Sequence, residues 1–209
     1  MRSPRRGVCV LVSGGVESAA MLDRYLARGF VVHPLFVRCG FWWEEVELAW
    51  MRRLLRGLKS SRLRPLAVSG AHALAGAGPG HWAFGRRRAP GARAAYDSVY
   101  LPGRNLTLLS CAASLCAQRG LGLAAIGSMK GNPFPDATPE FFRGFERLAR
   151  ASFGVRLRVE APFRRLGKRQ VVAAFPGARY DLTFSCLRPA GLAHCGRCSK
   201  CAERREAVA

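Results

Sequence analysis

The sequence predicts an α/β protein built on a doubly wound parallel sheet, with a cysteine-bearing C-terminal tail. Short apolar runs rich in β-branched residues alternate with longer segments whose apolar residues recur at helical spacing. Such alternation is typical of parallel sheets that carry helices on both faces. A glycine-rich turn follows the first apolar run, and four cysteines cluster near the end of the chain. These two features predict where the chemistry of the fold lies.

Three apolar runs in the first half of the chain predict buried strands, because they are short and contain many valines and leucines. We place these strands at residues 7–12, 30–37 and 63–68. The segments between them predict a helix over 16–28, which Gly29 ends, and a second helix over 42–58.

Residues 70–95 interrupt this pattern. The segment is dense in glycine, alanine, proline and arginine, and it is too long for an idle connection in a compact domain. A mobile active-site lid and a disordered insert both fit this composition. We favour the lid.

Regular elements resume after this segment and continue to the tail. We place helices at 105–119, 139–151 and 168–175, and strands at 123–127 and 155–159. Ligands of such sheets bind beyond the carboxyl ends of the strands, where the strand order reverses. We divide the chain into a main domain over residues 1–180 and a tail over 181–209 that packs on it.

Composition narrows the class of protein. Hydrophobic residues make up 49% of the 209 residues, which excludes a disordered tail. No apolar run approaches the roughly 20 residues that span a bilayer, and the apolar stretch near the N-terminus is too short for a signal peptide. We therefore expect a cytoplasmic protein without membrane contact.

The formal net charge of +21 would attract nucleic acid, anionic lipid or a phosphorylated substrate. Only four of the 34 basic residues are lysines, however, and the arginines are scattered more than clustered. A GC-rich genome produces the same bias. Nucleic-acid binding therefore remains a side hypothesis.

The turn after the first predicted strand has the features of a phosphate-binding loop. Two glycines allow a tight turn that brings backbone N–H groups close to an anion, and the helix N-terminus adds partial positive charge. Two serine hydroxyls can donate further hydrogen bonds. An ordinary strand-to-helix turn is the alternative. We predict that the loop binds ATP through Val12, Ser13, Gly14, Gly15, Val16, Glu17, Ser18 and Ala19.

The tail carries a second motif. Cys195, Cys198 and Cys201 form a C-x2-C-x2-C pattern, with Cys186 nine residues upstream. Four thiolates at this spacing favour a closed, structural Zn²⁺ site, and an iron–sulfur cluster is the alternative on ligand type. His194 is more typical of a supporting or surface residue than of a ligand. The other cysteines are expected to be small core residues: Cys9, Cys39, Cys111 and Cys116.

The Ser-Gly-Gly-x-acid-Ser loop after an N-terminal strand resembles the signature of the N-type ATP pyrophosphatases. The resemblance implies an adenine nucleotide alpha hydrolase-like, Rossmann-like domain over residues 1–180. It also implies that ATP and Mg²⁺ are used to adenylate a substrate oxygen, with release of pyrophosphate. The acid of that superfamily is usually Asp, whereas this chain has Glu17, whose longer side chain must shift its contact to Mg²⁺ or water.

Two central segments resemble the 7-cyano-7-deazaguanine synthases of this superfamily. The run Tyr-Leu-Pro-Gly-Arg-Asn-Leu is similar to the family's V-P-G-R-N-(L) signature, and its turn brings Arg104 and Asn105 to a helix start. Residues 127–142 are similar to the loop that shapes the deazaguanine pocket. The resemblance implies that Arg104 clamps a phosphate or carboxylate. It also implies that Asn105, Phe134 and Asp136 contact the heterocycle.

The end of the chain extends the same resemblance. That family has this cysteine arrangement at its C-terminus, and it has a lysine where this chain has Lys168. The resemblance implies that the four cysteines bind structural Zn²⁺ and that Lys168 acts with Glu17 and Arg104 on the transferring phosphate. A solvated lysine at a helix start is the alternative.

One motif of the family is missing. An aromatic-x-Gln-Arg-His run after the second strand is replaced here by a segment that contains Trp42, Trp43 and Glu44. The replacement indicates a divergent branch, whose acceptor or nucleophile can differ.

The resemblance implies one reaction, and two rivals stay open. ATP would activate the carboxylate of 7-carboxy-7-deazaguanine as an acyl adenylate, ammonia would form an amide, and a second activation would dehydrate the amide to a nitrile, as in a queuosine-type pathway. One rival is a divergent ligase that stops at the amide or uses another carboxylate. The other is a basic, non-catalytic module that binds nucleotide or nucleic acid. A homodimer is an open assembly state.

Overall fold

The computed structural model describes residues 6–70, 82–85, 90–91 and 99–208. Five parallel strands form a single sheet with the order β3-β2-β1-β4-β5. The strands are β1 (Gly7–Leu11), β2 (Val31–Arg38), β3 (Ala67–Gly70), β4 (Leu123–Ala125) and β5 (Arg158–Glu160). The predicted α/β class with a doubly wound parallel sheet is confirmed.

Helices pack against two separate apolar cores. They are α1 (Val16–Ala27), α2 (Glu44–Gly57), α3 (Arg104–Arg119), α4 (Pro139–Phe153), α5 (Lys168–Ala174) and α6 (Ser199–Val208). Buried side chains of α1, α2 and α5 belong to one core, and those of α3 and α4 belong to the other. The sheet separates these two cores.

The first strand shows why its sequence is apolar throughout. Val8 and Val10 belong to the core of α1, whereas Cys9 and Leu11 belong to the core of α3, and none is more than 6% exposed. Successive side chains of a strand point to opposite faces, so a strand covered on both sides is apolar at every position. The expected core role of the isolated cysteines is confirmed for Cys9, Cys39 and Cys116, and Cys111 is half-buried against the same core.

Two predicted strands begin later than expected. Leu63 makes only an isolated bridge to Val32, and the ladder of β3 starts at Ala67. Pro65 lies between them, and proline has no N–H to donate to a ladder. Likewise β5 starts at Arg158 rather than at residue 155.

Helix α6 is absent from the sequence-based prediction because its sequence is mostly charged and lacks an apolar stripe. It packs against α5, and Lys200 and Glu203 form an ion pair one helical turn apart within it. The tail therefore contacts the α/β domain, while its division from that domain at residue 181 stays a prediction.

Most of the segment predicted as a lid, residues 70–95, lies outside the described residues. The lid therefore stays a prediction. Among the described residues, no helix is both long enough and apolar enough to cross a membrane.

Replacing Gly14 with alanine is expected to lower the free energy of unfolding more than the same change at Gly29. Their φ angles are +82° and +80°, so alanine costs about 1–2 kcal/mol at either position. At Gly14 the new Cβ would also lie 3.1 Å from the backbone oxygen of Glu47, whereas at Gly29 no atom lies within 4 Å. Urea unfolding measures both losses, and equal losses would show that crowding at Gly14 contributes nothing.

Candidate active site and metal centre

A cavity of about 270 Å³ opens at the carboxyl ends of β1 and β4, between which the strand order reverses. This volume is close to the lower end for ligand pockets, roughly 300–1,000 Å³. Predicted site residues that line the cavity are Val12, Ser13, Gly15, Glu17, Ser18, Arg104, Asn105, Phe134, Asp136 and Lys168. Gly14, Val16 and Ala19 do not line it, and the last two belong to the apolar core of α1.

The loop after β1 is held by its two serines. Ser18 Oγ accepts a 2.8 Å hydrogen bond from the backbone N–H of Ser13 and lies 3.4 Å from Ser13 Oγ. Gly15 is the N-cap of α1 and has no side chain to cap the first N–H groups of the helix. The loop therefore offers the cavity hydroxyl groups and an uncapped helix N-terminus, which suit an anion such as phosphate.

A chain of ion pairs joins this loop to the tail. Lys168 Nζ lies 3.1 Å from Glu17 Oε1 and 2.9 Å from Glu203 Oε2, and Lys200 Nζ lies 2.9 Å from Glu203 Oε1. Burial alone would lower the pKa of Lys168, but Glu17 and Glu203 outweigh it and raise that pKa. The ammonium group is thus kept charged beside the loop. Sequence reasoning missed Glu203, since no motif marks it.

Arg104 enters the cavity from the first turn of α3. Its guanidinium carbon lies 5.5 Å from the centre of the Phe41 ring, a cation–π contact. Its Nε is buried and has no hydrogen-bond partner in the described part of the chain. Buried donors are normally paired, so an anionic ligand would complete this group.

Asn105 and Asp136 are bonded to each other. The backbone N–H of Asn105 donates to Asp136 Oδ2 at 2.8 Å, and its side-chain Nδ2 donates to the backbone oxygen of Asp136 at 3.0 Å. Asp136 is buried, and these hydrogen bonds join the start of α3 to the 3-10 turn at Pro135–Ala137. The pair is a rigid polar element of the cavity wall. Phe134 lies next to it and stacks on Tyr100, with ring centroids 4.5 Å apart.

The segment that replaces the missing family motif forms an aromatic column. Phe41 stacks on Trp43 at 5.0 Å, and Trp43 stacks on Trp82 at 5.5 Å, with interplanar angles of 13° and 9°. All three rings line the cavity, and Arg104 caps the column over Phe41. The column lies beyond the carboxyl end of β2 and forms one wall of the cavity.

Two acids of α2 also line the cavity, and they differ in their partners. Glu44 is buried and accepts hydrogen bonds from the backbone N–H groups of Cys39 and Gly40, so it holds the turn after β2. Burial raises the pKa of Glu47 to about 7; Arg104 and Trp43 oppose this, and Glu44 adds to it. Sequence reasoning missed Glu47. The signal was available, since it is an acid on the face of a helix that starts at the carboxyl edge of the sheet.

The four tail cysteines meet at one point. The Sγ atoms of Cys186, Cys195, Cys198 and Cys201 all lie within 4.8 Å of one another. Backbone N–H groups point at these sulfurs: Cys186 Sγ accepts from Cys195 at 3.3 Å, and Cys198 Sγ accepts from Leu187 at 3.4 Å. Such bonds stabilise thiolates, and a closed set of four sulfurs suits a tetrahedral ion such as Zn²⁺.

The tail runs directly past the phosphate loop. The backbone N–H of Phe184 donates to the carbonyl oxygen of Gly14 at 2.8 Å, and Cys186 itself lines the cavity. His194 Nε2 accepts a 3.2 Å hydrogen bond from the backbone N–H of Ser185, and its ring packs on Phe184. His194 therefore supports the tail backbone, and the metal centre lies immediately behind the loop.

Part of the positive charge gathers away from the cavity. Exposed arginines line an open cleft between α4 and β5: Arg143, Arg147, Arg150, Arg156 and Arg158. Glu146 in the same cleft accepts a 2.8 Å hydrogen bond from the backbone N–H of Val159. The described residues that line this cleft do not line the cavity.

Replacing Cys198 with serine is expected to remove zinc and to reduce solubility together, because three thiolates no longer close the tetrahedral site. Elemental analysis of the purified protein measures the metal. Cys111→Ser is the matched control, since Cys111 lies outside the cluster. Unchanged zinc in the Cys198 variant would refute the four-thiolate site, and iron in place of zinc in the unmodified protein would favour an iron–sulfur cluster.

Comparison with known proteins gives the family. Residues 7–209 match the family described as queuosine biosynthesis protein QueC. The 7-cyano-7-deazaguanine synthase of Anaeromyxobacter sp. (strain Fw109-5) is 34% identical, over 100% of this chain and 94% of that protein. The 7-cyano-7-deazaguanine synthase of Pyrococcus horikoshii is 31% identical, over 98% of this chain and 92% of that protein.

A solved structure shares the fold. It is described as a predicted subunit of tRNA methyltransferase from Methanocaldococcus jannaschii, with a TM-score of 0.51 over 82% of this chain and 74% of that chain. At 13% identity this likeness concerns the fold alone. The family match and the full-length relatives together establish that the chain belongs to the QueC family of queuosine biosynthesis proteins.

Proposed function

We propose that this protein is an ATP-dependent carbon–nitrogen ligase that converts the carboxylate of 7-carboxy-7-deazaguanine to a nitrile with ammonia. Relatives named 7-cyano-7-deazaguanine synthase align over nearly the whole chain. The observation that carries the proposal is the single cavity lined both by the phosphate loop and by the segments of Arg104 and Asp136. An acyl adenylate forms only where a nucleotide and a carboxylate meet, so this arrangement supports the proposal.

The first step joins the carboxylate oxygen to the α-phosphorus of ATP and releases pyrophosphate. In this proposal the loop N–H groups at Gly14 and Gly15 and the hydroxyls of Ser13 and Ser18 bind the phosphates. Val12, Val16 and Ala19 pack in the apolar core and so hold the end of β1 and the start of α1 on either side of the loop. Lys168 and Arg104 supply positive charge where negative charge develops. Mg²⁺, which Glu17 would help to hold, neutralises phosphate charge when bound.

The later steps form and dehydrate an amide. Ammonia attacks the acyl carbon, AMP leaves, and nitrogen loses a proton to give the amide. A second ATP then adenylates the amide oxygen and releases pyrophosphate. The bond from carbon to that oxygen breaks as AMP leaves, and the loss of two N–H protons gives the nitrile. The flat ring of Phe134 and the bonded pair Asn105–Asp136 would orient the deazaguanine ring, whose N–H groups match a carboxylate acceptor.

The metal centre has a structural role in this proposal. The four sulfurs of Cys186, Cys195, Cys198 and Cys201 would hold Zn²⁺ and leave no coordination position for substrate. The ion would fix the tail that passes behind Gly14 and supplies Glu203 to Lys168.

A ligase that stops at the amide, or that uses another carboxylate, is the second candidate. The observation that favours it is the stack of Phe41, Trp43 and Trp82 in the cavity wall, of which Phe41 and Trp43 belong to the segment that replaces the family's Gln-Arg-His motif. Different rings and hydrogen-bond donors at this wall would select a different acceptor.

Purified protein incubated with 7-carboxy-7-deazaguanine, ATP, Mg²⁺ and ammonium is expected to release pyrophosphate and form the nitrile. Mass spectrometry separates the products, because the amide keeps one water that the nitrile has lost. Amide as the end product would support the second candidate. A protein that releases no pyrophosphate with this acid or with related carboxylates would contradict both.

Replacing Lys168 with methionine is expected to lower kcat by about 10²- to 10³-fold, the usual effect of removing one group that stabilises transition-state charge. Binding of the deazaguanine acid should change little, since Lys168 faces Glu17 and not the Asn105 side of the cavity. Lys59→Met, at an exposed lysine, is the control. Steady-state kinetics measure kcat and KM of both variants. An unchanged kcat in Lys168→Met would show that Lys168 only pairs with Glu17 and does not act on the phosphate.

A further inference from the structure

The proposed steps leave one carboxylate of the cavity unused. Glu47 lies on α2 and lines the cavity together with the phosphate loop. Its backbone oxygen comes so close to Gly14 that a Cβ there would lie 3.1 Å away. Helix α2 therefore packs its backbone against the loop, while Glu47 itself lines the same cavity as Ser13 and Gly15.

The other acids that line the cavity are already bound. Glu17 is paired with Lys168, Glu44 holds the backbone of Cys39 and Gly40, and Asp136 holds Asn105. Within the described part of the chain, Glu47 has neither an ion pair within 4 Å nor a backbone donor on its carboxylate. Its carboxylate accepts a hydrogen bond from the Trp43 side chain, which leaves its other lone pairs able to take a proton from a reactant.

The groups that face Glu47 are few and of both signs. Arg104 approaches from α3, Trp43 and Glu44 approach from the start of α2, and Cys39 approaches from the turn after β2. The balance of burial and Glu44 against Arg104 and Trp43 raises the pKa of Glu47 to about 7. An acid with this pKa is partly ionised at neutral pH, which is the condition for efficient proton transfer in either direction.

The nitrogen donor of the proposed reaction requires a base that can take a proton from it at neutral pH. At neutral pH ammonia is present almost entirely as ammonium, which has no lone pair and cannot attack a carbonyl carbon. A carboxylate attracts ammonium by charge, and the attraction is stronger in a partly buried cavity than in water. A site with one ionised acid can therefore both bind the cation and convert it.

We propose that Glu47 binds ammonium in the cavity and is the base that converts it to ammonia for amide formation. One N–H bond of ammonium breaks and its proton passes to the Glu47 carboxylate. The freed lone pair forms the C–N bond at the acyl carbon, and the bond from that carbon to the AMP oxygen breaks with its electron pair on AMP. The second proton lost by nitrogen goes to water. This inference rests on the proposed ligase function and assigns its nitrogen site.

The test compares two nitrogen donors in Glu47→Gln. Hydroxylamine is largely neutral at pH 7 and needs no base before it attacks. The variant is expected to lose at least about 100-fold in kcat/KM for ammonium, the usual contribution of a general base, while it forms the hydroxamate with hydroxylamine at a rate near that of the unmodified enzyme. Exchange of labelled pyrophosphate into ATP, measured with the deazaguanine acid and no nitrogen donor, should also be unchanged.

Two further variants complete the test. Glu45→Gln changes an exposed acid of the same helix and should behave like the unmodified enzyme, whereas Glu47→Asp should recover part of the ammonium reaction. The dependence on pH gives an independent signature. Because Glu47 must be ionised to accept the proton, kcat/KM for total ammonium should level off above about pH 7 in the unmodified enzyme, whereas in Glu47→Gln, which depends on free ammonia, it should keep rising as the pH is raised further.

The outcomes are distinct. Full ammonium activity in Glu47→Gln overturns the inference, and so does a parallel loss of ammonium activity, hydroxylamine activity and pyrophosphate exchange, because that pattern reflects only structure. Failure of the proposed function shows itself separately, as an unmodified enzyme that catalyses no exchange with the acid, and would overturn the nitrogen site with it.

Discussion

The candidate site depends on close backbone contacts that the loop after β1 makes with helix α2 and with the C-terminal tail. At Gly14 the loop touches α2 on one side and accepts a hydrogen bond from the tail at Phe184 on the other. Across the sheet, a Cβ on Gly127 would lie 3.1 Å from the Cβ of Glu17. Only residues without side chains allow three segments to converge there. The cavity lies beside this point of convergence, where the same segments move apart.

This crowding makes the C-terminal tail part of the candidate site. The sulfurs of the four cysteines converge on one point, and the same tail contributes Glu203 to the pair around Lys168. Small segments of this kind usually depend on a bound ion for their order. Folding of the tail therefore also places the Glu203 carboxylate beside Lys168, next to the loop after β1.

Much of this could be predicted from the sequence. The alternating elements, the loop from Ser13 to Ser18 and the cysteine spacing are local patterns, and the structure places the loop at the reversal of the strand order as expected. Glu47 could have been proposed from its place on a helix that starts at the carboxyl edge of the sheet. Glu203 could not be assigned, because nothing in its neighbouring residues indicates which distant segment it faces. The late start of β3 follows from Pro65, a residue whose effect on a ladder depends on where the pairing begins. Helix α6 depends on tertiary contacts that its own charged sequence does not encode.

The aromatic column has a consequence for how the protein can be observed. Two of the chain's four tryptophans, Trp43 and Trp82, are stacked in the wall of the cavity, with Phe41 and the Arg104 guanidinium at one end of the stack. Indole emission responds to nearby charge and to exclusion of water. A ligand that draws Arg104 away from Phe41 therefore alters the surroundings of two of the four indole rings that contribute to the ultraviolet fluorescence of the chain. The cavity carries its own optical reporter of occupancy, without an added label.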